Sequence, residues 1–361
     1  MSGAPIKLLA RARPEILALQ PYSSARMEAG AATIMLNANE SPWAPIGSDA
    51  SELNRYPDPQ PPALRARLAE LYGVSSANVL VGRGSDEAID LLVRAFCSEG
   101  RDAILISPPT FGMYAVAART QGAAVIEAPL GPSFGLDVDA LLARVTENTK
   151  LVFVCTPNNP TGALVPLTAV AKLALALRDR ALVVVDEAYL EFADGAASAA
   201  TLIAHQDNIA VLRTLSKAYA LAGARVGTLI AHEQVVALLR RIQAPYPLPT
   251  TCVDAALAAL TPNAVDEAYA RMRLLLCERE RVARALSSAS GVFEVFPSAA
   301  NFLCVRFADA AATYRALLAI GIIVRDVSRY PQLSGCLRIT IGAPDENDAL
   351  LRALGQREAA A

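Results

Sequence analysis

The 361-residue sequence contains only two histidines, His205 and His232, and neither sits in a recognisable motif. That scarcity argues against a histidine-based catalytic triad or acid–base pair. The six cysteines form no CxxC pair, so a zinc site is not expected, and several lie in apolar runs such as LVFVC (151–155) and FLCVRF (302–307). Buried free thiols in a reducing compartment account for them. No unbroken apolar run approaches the ~18 residues of a membrane span. The N-terminal apolar stretch is interrupted by Arg11, Arg13, Pro14 and Glu15, which is unlike a secretory leader. The formal net charge of −2 offers no long-range attraction to nucleic acid or anionic membrane. A soluble cytoplasmic protein without metal is the expectation.

What is present is apolar substance: 53% hydrophobic residues against 19% charged. A chain of this length exceeds one ordinary core, which favours two domains. Residues 1 to about 60 are rich in Pro, Asn, Ser and Gly and read as an arm with a short helix near 13–19. Beyond it helices and strands alternate. Helical spacing appears at Leu64, Leu68 and Leu71 and again at Ile89, Leu92, Val93 and Phe96. Helices are also expected over 111–119, 137–145 and 166–178. Runs apolar on both faces, at 103–107, 124–129, 151–155, 181–186, 209–214 and 226–231, read as buried strands of a mainly parallel sheet covered on both sides. The proline-rich PYPLPTT (245–251) reads as a connector. A long helix over 263–287 follows, then strands at 293–297, 302–307, 322–324 and 337–341 with helices near 310–319 and 344–354. The division expected is an N-terminal arm and part of the small domain (1–50), a large α/β domain (51–250) and a smaller α+β domain (251–361).

Ligands of such sheets bind at the carboxyl ends of the strands. Lys217, in SKAYALAGARVG (216–227), follows a strand and is surrounded by small residues, with Ser216 and Arg225 as anion contacts. An amine beside an anion site is what a Schiff-base cofactor with a phosphate tail requires. Asp186 ends the most apolar strand, in VVVDEAYLEF (183–192), where a carboxylate is costly without a partner. A metal or a protonated ring nitrogen would serve, and Lys217 favours the ring. TPNNPTG (156–162) presents Asn159 at another strand end, and it is equally an ordinary turn. GRGSDEAIDLL (82–92) sets Ser85 and Asp86 at the start of a helix, whose free amides make an anion nest. Its spacing matches neither dinucleotide nor nucleoside-triphosphate loops. Phe111 in SPPTFGMY (107–114) could stack on a flat ring or pack in the core. Arg338 lies inside the apolar strand LRITIG (337–342), and Arg325 follows another apolar run; two guanidinium forks suit an anionic substrate.

The combination of TPNNPTG, DEAY, SKAYALAGARVG and LRITIG resembles the fold-type-I pyridoxal-phosphate enzymes of the class I and II aminotransferase group. The segments PYSSAR (21–26), LNANESPW (36–43), RYPDPQ (55–60), PPTFGMY (108–114) and GIIVRD (321–326) are similar to the histidinol-phosphate branch, and the likeness runs from about residue 13 to 354. It implies a seven-stranded, mainly parallel sheet between helices, plus the smaller domain. It also implies pyridoxal 5'-phosphate as cofactor and a homodimer. On that likeness Lys217 is the Schiff-base lysine, Asp186 the partner of the ring nitrogen, and Asn159 and Tyr189 the contacts of the phenolic oxygen. Ser85, Asp86, Ser216 and Arg225 form the phosphate cup, Tyr56 reaches the phosphate from the other subunit, and Tyr22, Asn39, Arg325 and Arg338 contact substrate. The activity implied is transamination between L-histidinol phosphate and 2-oxoglutarate. Phe111 departs from the branch, which often has a stacking Tyr there, so an aromatic aminotransferase remains an alternative, as does a decarboxylase of a phosphorylated amino acid. A DNA-binding regulator of this fold would need an extra basic domain, for which the chain has no spare residues.

Overall fold

Leu182–Asp186 (LVVVD) has no polar break, and every one of its residues is buried. A strand apolar on both faces must lie inside a sheet with helices above and below. The computed structural model describes residues 5–20, 34–46 and 53–355. In it this strand, β5, belongs to a seven-stranded sheet with β1 (Val79–Arg83), β2 (Ala103–Ile106), β3 (Ala124–Glu127), β4 (Thr149–Cys155), β6 (Ile209–Thr214) and β7 (Val226–Ala231). The order is β1-β7-β6-β5-β4-β2-β3. β7 runs antiparallel to both its neighbours, and the other pairings are parallel.

The two faces split the strand residues by alternation. Leu182, Val184, Leu212 and Phe153 join the helices Gly84–Phe96, Met113–Thr120 and Glu233–Arg240 in one core. Val183, Val185, Val211 and Val154 join the helix Leu167–Ala176 in another. Each fully buried side chain of this kind stabilises the fold by about 1.5–3 kcal/mol.

A second sheet, antiparallel throughout, has the order β10-β11-β9-β8. Its strands are β8 (Val292–Val295), β9 (Phe302–Phe307), β10 (Arg325–Asp326) and β11 (Cys336–Thr340). Val282 and Leu286 of the long helix Pro262–Ser287 pack into its core with Leu303, Val305, Leu337 and Ile339. Among the described residues no helix is long and apolar enough to cross a membrane.

Among the strands and α-helices, four differ from the sequence reading. β1 was not among the expected strands, because the two glycines after Val81 mask a short edge strand as a turn. Residues 322–324 are not a strand. Gly321, at φ 82°, ends the preceding helix, Ile322 bonds back to Leu317, and Ile323 is 74% exposed, so pairing begins only at Arg325. The helix Thr250–Ala259 starts inside the proline-rich connector; Pro249 caps it, and Val253 and Ala256 pack with Leu64 and Leu68. The helix Glu233–Arg240 was also unanticipated, and His232 supplies its cap by accepting from the Gln234 amide.

The ends of β1, β4, β5 and β6 meet at one edge, which is where the chemistry-bearing loops emerge. Cys155 and Asp186 are register partners there, as are Arg83 and Val226. Gly227 makes the convergence possible: a Cβ on it would lie 2.2 Å from the Gly84 carbonyl carbon and 2.4 Å from the Ser85 nitrogen. Backbone cannot yield as a flexible side chain can. Gly227→Ala is therefore expected to destabilise the protein by about 2–3 kcal/mol. Gly223→Ala, with nothing within 4 Å of its new methyl group, should stay within about 0.5 kcal/mol of the parent. Chemical denaturation of the two variants checks this, and equal midpoints would refute the packing argument.

Candidate active site

The motif DEAY carries two adjacent carboxylates with opposite fates. Glu187, 1% exposed, turns to Arg213 at 3.0 Å and also accepts from the Ser198 hydroxyl at 2.5 Å and the Ala199 amide at 2.6 Å. Its charge is matched. Asp186, 3% exposed, accepts from the Tyr114 hydroxyl at 2.7 Å and the Ala188 amide at 3.1 Å, and no ion pair with it is found among the described residues. Burial pushes its pKa up to about 6; the Tyr114 and Ala188 hydrogen bonds hold it down. This is a carboxylate still lacking a cation.

Lys217 lies on the loop joining β6 to β7. The loop folds tightly, with Leu221 N–H donating to Leu215 carbonyl and Ala220 N–H to Lys217 carbonyl. Ala220 and Arg225 both adopt φ 55°. The Lys217 amine stands 5.7 Å from the centroid of the Tyr189 ring. Desolvation lowers its pKa first, and the nearby Arg338 lowers it further. A larger share of the amine is thereby neutral, the form that acts as nucleophile and base.

An anion cradle occupies the end of β1. Ser85 and Asp86 open the helix Gly84–Phe96, whose first N–H groups have no intrahelical partner. Arg225 reaches across to Asp86 at 3.1 Å and donates to the Ala222 carbonyl at 3.2 Å. Gly84, at φ 76°, leaves the room this needs, since a Cβ there would lie 2.8 Å from Arg225 Nη2. The Ser216 hydroxyl accepts from Thr214 Oγ1 at 2.9 Å, which leaves its own proton to donate.

The opposite wall comes from both sheets. Arg338 on β11 donates to Asn159 Oδ1 at 2.5 Å, and Asn159 Nδ2 donates to the Tyr189 hydroxyl at 3.4 Å. The guanidinium fixes which way the Asn159 amide faces, since it can only donate. Arg338 Nε is buried without a partner. Arg325 and Arg338 are direct partners in the β10–β11 register. Like charges opposite one another destabilise a ladder, and no carboxylate pairs with either among the described residues.

One cavity of about 890 Å³ joins these walls. Ser85, Asp86, Phe111, Asn159, Asp186, Tyr189, Ser216, Lys217, Arg225, Arg325 and Arg338 all line it. Tyr56 and Asn39 do not line it in this chain. Tyr56 is 47% exposed and stacks on Tyr246 at 4.4 Å, and Asn39 is exposed. Tyr22 lies outside the described residues. Among the described residues no group of three or more His, Cys, Asp or Glu side chains could hold a metal ion.

The sequence reading missed Tyr114, three residues beyond Phe111 in the same motif. A buried tyrosine hydroxyl needs a partner, but nothing in the local pattern says that the partner comes from β5. Arg329 and Tyr330 also line the cavity without having been singled out.

The chain matches the family model for aminotransferase class I and II across residues 32–354. It is 54% identical over 358 residues to the histidinol-phosphate aminotransferase of Stenotrophomonas maltophilia (strain R551-3), covering 98% of both chains. It superposes with a TM-score of 0.78 on the Sinorhizobium meliloti histidinol-phosphate aminotransferase solved with pyridoxal-5'-phosphate, at 27% identity over 97% of this chain and 98% of that one. The L-threonine-O-3-phosphate decarboxylase of Porphyromonas gingivalis shares the fold, with a TM-score of 0.73 and 24% identity over 85% of this chain and 91% of that one. The protein belongs to the class I and II aminotransferase family.

Proposed function

We propose that this chain transfers an amino group between L-histidinol phosphate and 2-oxoglutarate with pyridoxal 5'-phosphate as cofactor. In the biosynthetic direction it takes imidazole acetol phosphate and L-glutamate to L-histidinol phosphate and 2-oxoglutarate. The observation that carries the substrate reading is the Arg325–Arg338 pair: two arginines that are direct partners in the β10–β11 register and line one cavity, with no carboxylate paired to either among the described residues. Both the substrate phosphate and the carboxylate of glutamate can neutralise them. The 54% identical relative from Stenotrophomonas maltophilia supports the same assignment.

The residues present fit the cofactor. Asp186 is a buried carboxylate with no ion pair among the described residues, the space between Gly84 and the Arg225 guanidinium is one that a Cβ would fill, and Lys217 opens on the same cavity. When bound, pyridoxal phosphate supplies an electron sink for the charge left at the substrate Cα. Ser85, the Asp86 amide, Ser216 and Arg225 would hold its phosphate, and Phe111 would stack on its ring. Asn159 Nδ2 and the Tyr189 hydroxyl would donate to its phenolic oxygen; burial raises the Tyr189 pKa and so keeps that donor protonated. Asp186 would keep the proton on the ring nitrogen by charge. The neutral amine of Lys217 removes the Cα proton of the amino donor, and Arg338 and Arg325 orient the donor by its anionic end; a part for Tyr22 and Asn39 in that task rests on the family likeness alone.

The active form in this reading is a homodimer in which Tyr56 of a second copy reaches the phosphate. In support, Tyr56 stands outside its own cavity, and its segment exposes Leu36, Trp43 and Ile46, which a partner would cover. The division into a large unit, residues 51–250, and a small unit, residues 251–361, is part of this reading; of the N-terminal arm, Leu8, Ala12 and Ile16 pack in the core of the large sheet rather than on the small one, and the helix Thr250–Ala259 leans on the large sheet as well. Six free cysteines are consistent with the cytoplasm.

In side-by-side assays with 2-oxoglutarate, kcat/KM for L-histidinol phosphate should exceed that for L-phenylalanine by at least about a hundredfold. The reverse order would establish an aromatic aminotransferase, and carbon dioxide release a decarboxylase. Lys217→Ala should lose the borohydride-bleachable yellow absorbance and more than about 10⁴-fold in turnover; a variant that keeps both removes the scheme. Arg338→Lys replaces a fork by a point charge and should cost about 2 kcal/mol, roughly thirtyfold in kcat/KM, in both half-reactions. An effect confined to one half-reaction would mean separate anion subsites.

Asp186 also makes stability depend on pH in the cofactor-free protein. Its folded pKa, about 6, lies above the ordinary value of 3.8. Its stabilising contribution is therefore complete below about pH 4 and is lost as the pH rises through 6. Cofactor-free Asp186→Asn should gain about 2 kcal/mol relative to the parent between pH 4.5 and pH 7. Denaturation curves at the two pH values test this, and parallel pH dependence in parent and variant would refute it.

A further inference from the structure

Tyr114 has no part in the chemistry described so far, yet its hydroxyl makes the one side-chain hydrogen bond that Asp186 receives within the described residues. The residue is fully buried. Its ring stacks on Phe153 at 4.6 Å with an interplanar angle of 14°, and it meets Phe111 edge-on at 5.6 Å. Phe153 belongs to β4, Phe111 to the cavity wall and Asp186 to the end of β5, so three separate elements aim one hydroxyl at Asp186 Oδ2. Among the described residues no other donor competes for that oxygen: the neighbouring Cys155 thiol donates to the Pro157 carbonyl, and the Ala188 amide takes Oδ1.

We propose that Tyr114 is a positioning residue that holds Asp186 ionised and oriented toward the cofactor's ring nitrogen. This rests on the pyridoxal-phosphate reading of the cavity. A phenol has a single proton to give, and here it goes to the carboxylate, so the hydrogen bond stabilises the charged form. Burial of Asp186 works in the other direction. With the donor removed, the proton shared between ring nitrogen and carboxylate moves toward Asp186, and the ring loses positive charge. Tyr114 cannot itself become the anion, because burial and the adjacent Asp186 charge drive its pKa well above the ordinary tyrosine value.

The test compares two cofactors: pyridoxal phosphate, and its 1-deaza analogue with carbon in place of the ring nitrogen. Each is titrated into the cofactor-free protein and its dissociation constant measured. Tyr114→Phe keeps both aromatic contacts and should weaken pyridoxal phosphate binding by roughly tenfold while leaving the deaza analogue unchanged. In an Asp186→Ala background the same substitution should alter neither constant. 3-Fluorotyrosine at position 114 keeps the ring and makes the phenol a stronger donor. It should move the ratio of the two constants the opposite way, which keeps the test open if the Phe variant folds poorly. Equal weakening of both ligands, or a ratio indifferent to all of these changes, overturns the role of Tyr114 and leaves the cofactor reading intact. A parent protein that binds neither ligand overturns the cofactor reading itself, and this inference with it.

Discussion

A carboxylate buried at the end of a hydrophobic strand, with no ion-pair partner among the described residues, is the feature on which the rest of the site depends. Desolvation of Asp186 costs the fold stability that its two hydrogen bonds only partly offset. The adjacent Glu187 is the internal control: equally buried and one residue away, it has Arg213 as its cation. The fold can supply a guanidinium at this depth, and supplies it to only one of the two. A cationic ligand would give the charge left over at Asp186 a partner, and such a ligand stabilises the folded protein by mass action when it binds.

The same logic, with the sign reversed, governs the other end of the cavity. Arg325 and Arg338 face each other across a two-stranded ladder and repel. A negative group near Asp186 and a positive pair near β11 leave the cavity with unmet charge of both signs. A molecule that presents a protonated ring at one end and accepts an anionic partner at the other meets both demands. Lys217 sits in the combined field, its ammonium disfavoured first by desolvation and then by Arg338. The electrostatics that select the ligand therefore also prepare the base.

Much of this was legible in the sequence, and the reason is local. Strands that bury both faces declare themselves as unbroken apolar runs, which is why Leu182–Asp186 and Thr149–Cys155 were readable and the glycine-bearing Val79–Arg83 was not. Asp186, Lys217 and Arg338 stood out because each is a charge in an apolar or small-residue setting. Tyr114 did not, since a tyrosine in an apolar helix is ordinary until its hydroxyl is seen to meet another element. The opposition of Arg325 and Arg338 was equally hidden: both were visible as separate cations, but their pairing is a register, which only tertiary structure defines.

Asn159 shows how the two sheets are made to act as one site. Its amide oxygen accepts from Arg338 of the small sheet, so its amide nitrogen must face Tyr189, at the end of the large one. Amide orientation is commonly ambiguous, but a guanidinium has no lone pair to offer, so the alternative flip would set donor against donor. The small sheet thus determines which atom the large sheet presents to the cavity. Any shift of β11 that withdrew Arg338 would free Asn159 to turn over and remove a donor from the wall of the cavity. Specificity for an anionic substrate and correct seating of the ring are for that reason not separable properties of this fold: both are referred to one hydrogen bond that spans the two sheets.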